Sequence, residues 1–484
     1  MANRIQLRRG TAAEWTSSNP VLGQGEPGVE TDTGKIKFGD GVGTWTSRPY
    51  ASKGDQGIPG VADDASVADL VATLGTDTQV ALSATIATGI EDSEYLPATF
   101  APQPVNSIIP IGTSFTEGNY GPGTSKPLGY QARGYFVWAE AFLGQRLKWV
   151  RNAGVPGNTT AMMLARIDAD VIAYAPGWCL IEVGPNDATT NVTAATTQAN
   201  IAAMVDKLTK AGIRAAVTTP TTTVAHTTGQ RQAALAVGAW LRTWAQTQPN
   251  VVLADFASVW VNPADGAPVT NLADDGTHPS PDGAIALGKV LADALAPRVP
   301  AIRDLPVSNI STGNLLTNGM ATGNVSGLAT GFGVNGSGAT PVHTASKVTR
   351  TDGIPGEWQQ LAIGPGNVAG RTMNWPTIST GFVVGDVVEA LVEWKRVAGA
   401  VVVYGTTQQF LQAKLIAIGG SAETVWCDRI SSEKVWTAWP EGGVAKTPPL
   451  TIPAGTTSLV LQFTAQGVDT MTLQFGAAVV RKVT

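Results

Sequence analysis

The sequence predicts a multidomain protein with a small N-terminal β domain, a central α/β domain built on a parallel sheet, and a C-terminal β-sandwich. Three observations carry this. Residues 4–50 alternate short β-like runs with Gly, Pro and Asp turns, and residues 107–298 alternate apolar strands with helical patterns. From Asn314 onward helical periodicity gives way to short alternating runs separated by Gly and Pro turns. A chain of 484 residues fits about three domains at roughly 150 residues each. The expected divisions are 1–50, a linker or stalk over 51–106, 107–300, and 310–484.

Composition narrows the class. Hydrophobic residues at 43% suffice for real cores, and 55 Gly with 30 Pro point to many turns. The formal charge of −5 and the lack of a Lys/Arg cluster argue against nucleic acid as a partner. No apolar run is long enough to insert in a membrane. The N-terminal Met1-Ala2-Asn3-Arg4-Ile5-Gln6 lacks the apolar core of a signal peptide, so export by the ordinary secretory route is not expected. Cys179 and Cys427 lie in different predicted domains and read as two buried thiols.

In the N-terminal domain, Asp32-Thr33-Gly34 followed by Lys35-Ile36-Lys37-Phe38 reads as a hairpin. The segment is too small to bury much by itself, and association with copies of itself is the natural remedy. The string Ile5-Gln6-Leu7-Arg8-Arg9-Gly10-Thr11-Ala12-Ala13-Glu14-Trp15, with Gly25-Glu26-Pro27-Gly28 and Gly39-Asp40-Gly41, resembles the small β-prism domain of phage tail fibres and receptor-binding proteins, the major-tropism-determinant type. That resemblance implies a homotrimer, joined through this domain to proteins of the tail tip or baseplate, and a place in the virion tail.

Glycine recurs at every third position through Gly54, Gly57 and Gly60. This fits a short collagen-like stretch or an ordinary flexible linker. Val67, Leu70, Val71 and Leu74 at helical spacing suggest a short amphipathic stalk, which Pro97, Pro102 and Pro104 terminate.

In the central domain, strands are expected at Ser107–Ile111, Leu147–Asn152, Trp178–Val183, Arg214–Thr218 and Val251–Phe256. In such sheets ligands collect beyond the strand C-termini, and four motifs fall on that edge. The first strand breaks into Gly112-Thr113-Ser114. The second opens into Asn152-Ala153-Gly154-Val155-Pro156-Gly157, whose exposed N–H groups suit an oxyanion. The third ends in Glu182-Val183-Gly184-Pro185-Asn186-Asp187, where an Asn amide supplies another donor. After the fifth comes Asp275-Gly276-Thr277-His278-Pro279, with Ser280 as helix N-cap and Pro281 as first helical residue.

These parts fit one reaction class. A serine hydroxyl becomes nucleophilic when an imidazole takes its proton, and an acid on the far nitrogen sets the tautomer. Ser114 is the candidate nucleophile, His278 the base and Asp275 its orienter; the N–H groups of Ser114 and Gly157 with the Asn186 amide form the candidate oxyanion hole. Taken singly each motif has a blander reading. Asn186 and Asp187 would cap a helix, Gly157 would be a bend, and His226, in a threonine-rich loop after the fourth strand, reads chiefly as a solvated loop histidine, with reach into the cleft as the alternative. His343 has no recognisable partners.

Gly112-Thr113-Ser114, Asn152 to Gly157, Gly184-Pro185-Asn186-Asp187 and Asp275-Gly276-Thr277-His278-Pro279 resemble, in order and strand context, the four blocks of the SGNH (GDSL-like) hydrolases. The resemblance implies a flavodoxin-like α/β/α fold and a serine esterase, lipase or carbohydrate deacetylase with no metal and no cofactor. It implies the same roles for Ser114, Gly157, Asn186, Asp275 and His278. One position departs: the usual Gly-Asp-Ser is Gly-Thr-Ser here, and Thr113 is expected to alter loop support rather than abolish chemistry.

The C-terminal Asn314-Leu315-Leu316-Thr317-Asn318-Gly319, the Gly385-Asp386-Val387-Val388 run and Ile452-Pro453-Ala454-Gly455-Thr456-Thr457 resemble carbohydrate-binding jelly-roll modules. Trp358, Trp375, Trp394, Trp426, Trp436 and Trp439 fall in this part, as core residues or as sugar platforms. Together these expectations describe a tail fibre or minor tail protein that removes O-acetyl groups from a host cell-surface glycan. The alternative is an adhesin that binds that glycan without turnover.

Overall fold

The computed structural model describes residues 8–50, 106–124, 128–301, 304–309, 311–336, 343–364, 370–400, 410–428, 440–466 and 470–483. The chain divides into two compact units, Met1–Glu94 and Tyr95–Thr484. The collagen-like triplets, the stalk residues 67–74, the three prolines 97–104, Trp436 and Trp439 lie outside the described residues, as does most of the Arg4–Arg8 run.

In the first unit, β1 (Arg8–Gly10), β2 (Pro27–Glu30) and β3 (Ile36–Phe38) form a three-stranded sheet. β2 and β3 are the antiparallel hairpin read at Asp32-Thr33-Gly34, and Gly34 takes φ +69° in its turn. Helix Ala12–Ser18 starts in a capping box between Thr11 and Glu14. Trp15 and Trp45 stack at 4.2 Å, and with Leu22 they make the small core.

The second unit begins with a parallel sheet. Its strands are β4 (Ser107–Gly112), β6 (Lys148–Trp149), β7 (Ala153–Gly154), β8 (Trp178–Ile181), β9 (Arg214–Thr218) and β10 (Val251–Ala254). The order is β10-β9-β8-β4-β6, with β7 also on β4, and every pairing is parallel. Counting β6 and β7 as one interrupted strand, this is the flavodoxin-like 2-1-3-4-5 order, whose switch point lies between β4 and β8. All six residues of β4 are buried, as a central parallel strand requires. The expected second strand Leu147–Asn152 is broken in two. Pro110, between Ile108 paired to Trp149 and Ile111 paired to Ala153, has no N–H to offer on that side, so the pairing lapses there.

Helices Thr160–Asp170, Ala194–Lys210 and Thr228–Trp244 cover one face of the sheet over a core that includes Ile109, Ile181, Ile201 and Val237. Helices Tyr135–Phe142 and Pro281–Leu295 cover the other, over Ile108, Leu180, Phe256 and Leu287. Thr159, Thr193, Thr227 and Ser280 cap four of these helices through their hydroxyls.

The C-terminal part is a two-sheet sandwich. One sheet runs β11 (Gly333–Asn335), β14 (Arg371–Asn374), β20 (Ser458–Gln466), β16 (Phe410–Ile418), β17 (Ala422–Asp428). The other runs β12 (His343–Thr349), β13 (Glu357–Ile363), β21 (Thr470–Lys482), β15 (Val387–Ala400), β18 (Gly442–Lys446). Trp358, Trp375, Trp394 and Trp426 are all core residues, 5% exposed or less, so none of these four is a sugar platform.

The first of these sheets does not stop at the sandwich. Its edge is completed by β5 (Gly129–Gln131), from the loop that follows the Ser114 segment, paired in parallel with β17. Tyr130, Val137, Trp138 and Ala141 of the α/β part belong to the same apolar core as Trp394, Trp426 and Phe463. A strand of only three residues carries no alternation by which the sequence could reveal it.

Candidate active site

Ser114 stands at the C-terminal end of β4, at the switch point, as the first residue of the one-turn helix Ser114–Glu117. Thr113 is the N-cap: its side chain accepts from the Phe115 N–H at 3.2 Å. The far end of this turn is held by Asn152, whose amide donates to the carbonyls of Thr116 and Tyr120, both at 2.9 Å. A side chain on Gly154 would lie 2.1 Å from the Glu117 nitrogen, so only glycine lets β7 pass this close to the serine turn.

His278 comes from the loop after β10 and reaches back across the edge. Its Nε2 lies 3.0 Å from Ser114 Oγ, and its Nδ1 lies 2.8 Å from Asp275 Oδ2. The loop is closed by a carboxylate clasp in which Asp275 Oδ1 accepts the N–H of His278 at 2.8 Å and of Thr277 at 3.0 Å. Gly276 takes φ +82° to make the turn, and its carbonyl accepts the Val224 N–H. Below the loop, Ser280 caps helix Pro281–Leu295 and donates to the Asn271 carbonyl. Burial raises the Asp275 pKa, but the hydrogen bonds from His278 and Thr277 outweigh it and hold the carboxyl down to about 2. Asp275 is therefore charged wherever the imidazole can act as a base. The Phe115 ring packs 6.0 Å from the imidazole and 5.4 Å from Trp260, giving His278 an apolar wall.

The oxyanion candidates Gly157 and Asn186 lie just past the C-terminal ends of β7 and β8. Gly157 is an exposed turn residue at φ +80°, a conformation that other residues rarely adopt. The Asn186 amide donates to the Asn158 carbonyl at 2.9 Å, which ties the β8 loop to the Gly157 turn and leaves one amide hydrogen of Asn186. Asp187 accepts from the N–H of Thr160 at 2.8 Å and from its hydroxyl at 2.5 Å, at the first residue of helix Thr160–Asp170. The capping reading thus applies to Asp187, which fixes the glycine turn from below.

His226 is 5% exposed, against the expectation of a solvated loop histidine. Its Nε2 lies 2.9 Å from Thr189 Oγ1, and burial lowers its pKa. The 219–226 loop turns inward, burying three successive threonines from Thr221 to Thr223. Glu182, to which no sequence motif assigns a role, lies fully buried beside Thr113. The available signal was a carboxylate directly after an apolar strand that is buried on both faces.

Residues 111–285 match the GDSL-like Lipase/Acylhydrolase family, and residues 5–43 match the Major tropism determinant N-terminal domain. A hyaluronoglucosaminidase from Streptococcus pyogenes phage H4489A is 49% identical over 47 residues, which is 10% of this chain and 13% of that protein. The chain thus spans about an eighth of that relative's length. Among solved structures, the lipase/acylhydrolase from Enterococcus faecalis is 22% identical with a TM-score of 0.32, covering 41% of this chain and 98% of that one. A catalytic mutant of an acetylxylan esterase from Geobacillus stearothermophilus is 23% identical with a TM-score of 0.33, covering 41% and 97%.

The central α/β domain is therefore an SGNH, GDSL-like hydrolase domain. That domain is carried on a chain whose residues 5–43 resemble the Major tropism determinant N-terminal domain and which shares a 47-residue segment with a phage protein.

Proposed function

We propose that the protein is a phage tail protein and a serine carbohydrate esterase that removes O-acetyl groups from a host cell-surface polysaccharide during adsorption. The observation that carries the esterase reading is the continuous relay from Asp275 through His278 to Ser114, at 2.8 and 3.0 Å. In the forward step Ser114 Oγ attacks the ester carbonyl while its proton passes to His278 Nε2. Asp275 holds the proton on Nδ1 and stabilises the imidazolium. The N–H groups of Ser114 and Gly157 and the Asn186 amide receive the oxyanion; His278 then protonates the departing alcohol. Water, activated by the same imidazole, releases acetate from the acyl-serine. The GDSL-like family match and the phage-type N-terminal likeness support an ester-bearing host glycan as substrate. Assembly as a homotrimer, attachment to tail-tip or baseplate proteins through residues 1–50, a place in the virion tail, and glycan binding by the sandwich belong to the same proposal.

The test is hydrolysis of p-nitrophenyl acetate and acetate release from host envelope glycan by the intact protein, Ser114→Ala and His278→Ala. Turnover by the first alone supports the reading. Equal, negligible turnover by all three with retained cell binding overturns it in favour of the adhesin.

A further inference from the structure

The loop that carries Ser114 lacks the usual carboxylate at position 113, and a carboxylate reaches it from elsewhere. Glu182, just beyond β8, accepts the Thr113 N–H at 2.7 Å and the Thr113 hydroxyl at 2.9 Å, both on Oε2. The same oxygen accepts the Thr116 hydroxyl at 3.0 Å. Since that hydroxyl donates to Glu182, the Tyr135 hydroxyl 2.8 Å away donates to Thr116 in turn. All four residues are 1% exposed or less. Two glycines make room: a side chain on Gly112 would lie 2.4 Å from Glu182 Oε2, and one on Gly184 2.7 Å from Thr113.

We propose that Glu182 is the positioning residue of the nucleophile turn, fixing through Thr113 and Thr116 the peptide that presents both Ser114 Oγ and the Ser114 N–H. It is not a catalytic residue, because it is fully buried and touches the turn only from beneath. Burial pushes its carboxyl up to about 7, with the hydrogen bonds from Thr113 and Thr116 pulling the other way. A group so costly to bury, with three donors converging on one oxygen, is accounted for by its hold on those donors. Thr113 also accepts from the N–H of Phe115, the residue directly after the nucleophile, so the tether continues into the turn.

This inference rests on the esterase reading, and its test separates the two. Glu182→Leu keeps the bulk and removes every acceptor. Its kcat on p-nitrophenyl acetate should fall on the order of 10²-fold, with KM within about threefold, since a displaced nucleophile costs chemistry rather than binding. Glu182→Gln, which retains an acceptor oxygen, should recover most of that loss. Thr113→Val should lower kcat roughly tenfold, and Thr113→Val combined with Glu182→Leu should lose no more than Glu182→Leu alone, because both cut one tether. Wild-type kcat in Glu182→Leu, or losses that multiply in the double variant, overturns the inference while leaving the esterase intact. Inactivity of the wild type equal to Ser114→Ala overturns both. If Glu182→Leu does not fold, Thr113→Val and Glu182→Gln carry the test, and wild-type kcat in Thr113→Val then counts against it.

Discussion

The side-chain amide of Asn152 closes the end of the serine turn by donating to the carbonyl of Tyr120 at 2.9 Å, and it does the same for Thr116. Asn152 is buried, so its removal strands two carbonyls away from water. Asn152→Ala is expected to cost roughly 1–3 kcal/mol of stability. Its kcat should fall as the turn loosens, measured by denaturant unfolding alongside initial rates.

Asp275 sets the imidazole tautomer, and its amide counterpart would invert it. Asp275→Asn is expected to lower kcat roughly 10³–10⁴-fold with little change in KM. Because the carboxyl titrates near 2, below its unfolded value, its contribution to stability is present above pH 4 and is lost as pH falls toward 2. Melting of wild type and Asp275→Asn should accordingly converge over that interval.

Glu140, on helix Tyr135–Phe142, is buried, and burial raises its pKa to about 8 against the opposing pull of Lys446. The native state keeps a proton that the unfolded chain gives up near 4.5, so stability should decline as pH rises from about 4.5 toward 8. Glu182, titrating about 7, adds a decline of the same sign below that value. Glu140→Gln should flatten the fall, most visibly between pH 7 and 8, in melting temperature followed against pH.

The hydrolase and the sandwich share both a sheet and a core. β5 pairs with β17, Ala132 N–H donates to the Asp428 carbonyl at 2.7 Å, and the Trp138 ring meets Trp426 edge-on at 5.2 Å. They should melt as one cooperative unit. Calorimetry of the intact protein should show a single transition for residues 107–484, lowered by Trp426→Ala, a change that typically costs about 3–5 kcal/mol in a core. Separate hydrolase and sandwich transitions would count against this coupling.

The parts of the molecule that were legible in the sequence are those with a local signature. β4, β8 and β9 announce themselves as apolar runs ending in turn residues, and Ser114 and His278 stand in motifs whose neighbours have local jobs: Gly154 permits close approach, Ser280 caps a helix, and Asp275 clasps its own loop. What stayed hidden depends on partners distant in sequence. Pro110 matters only where β6 and β7 part, β5 is defined by a strand nearly three hundred residues away, and Glu182 acquires its meaning from Thr113 and Thr116. His226 is buried because its threonine-rich loop, solvated by composition, turns its threonines inward.

The claim on which the rest stands is that His278 activates Ser114 for attack on an acyl carbonyl. It is tested most directly by exposing the intact protein and His278→Ala to a fluorophosphonate, followed by peptide mapping. The account requires a single stoichiometric adduct on Ser114 in the wild type, formed far more slowly in the variant. An unlabelled Ser114, or labelling at the same rate without the imidazole, would contradict it.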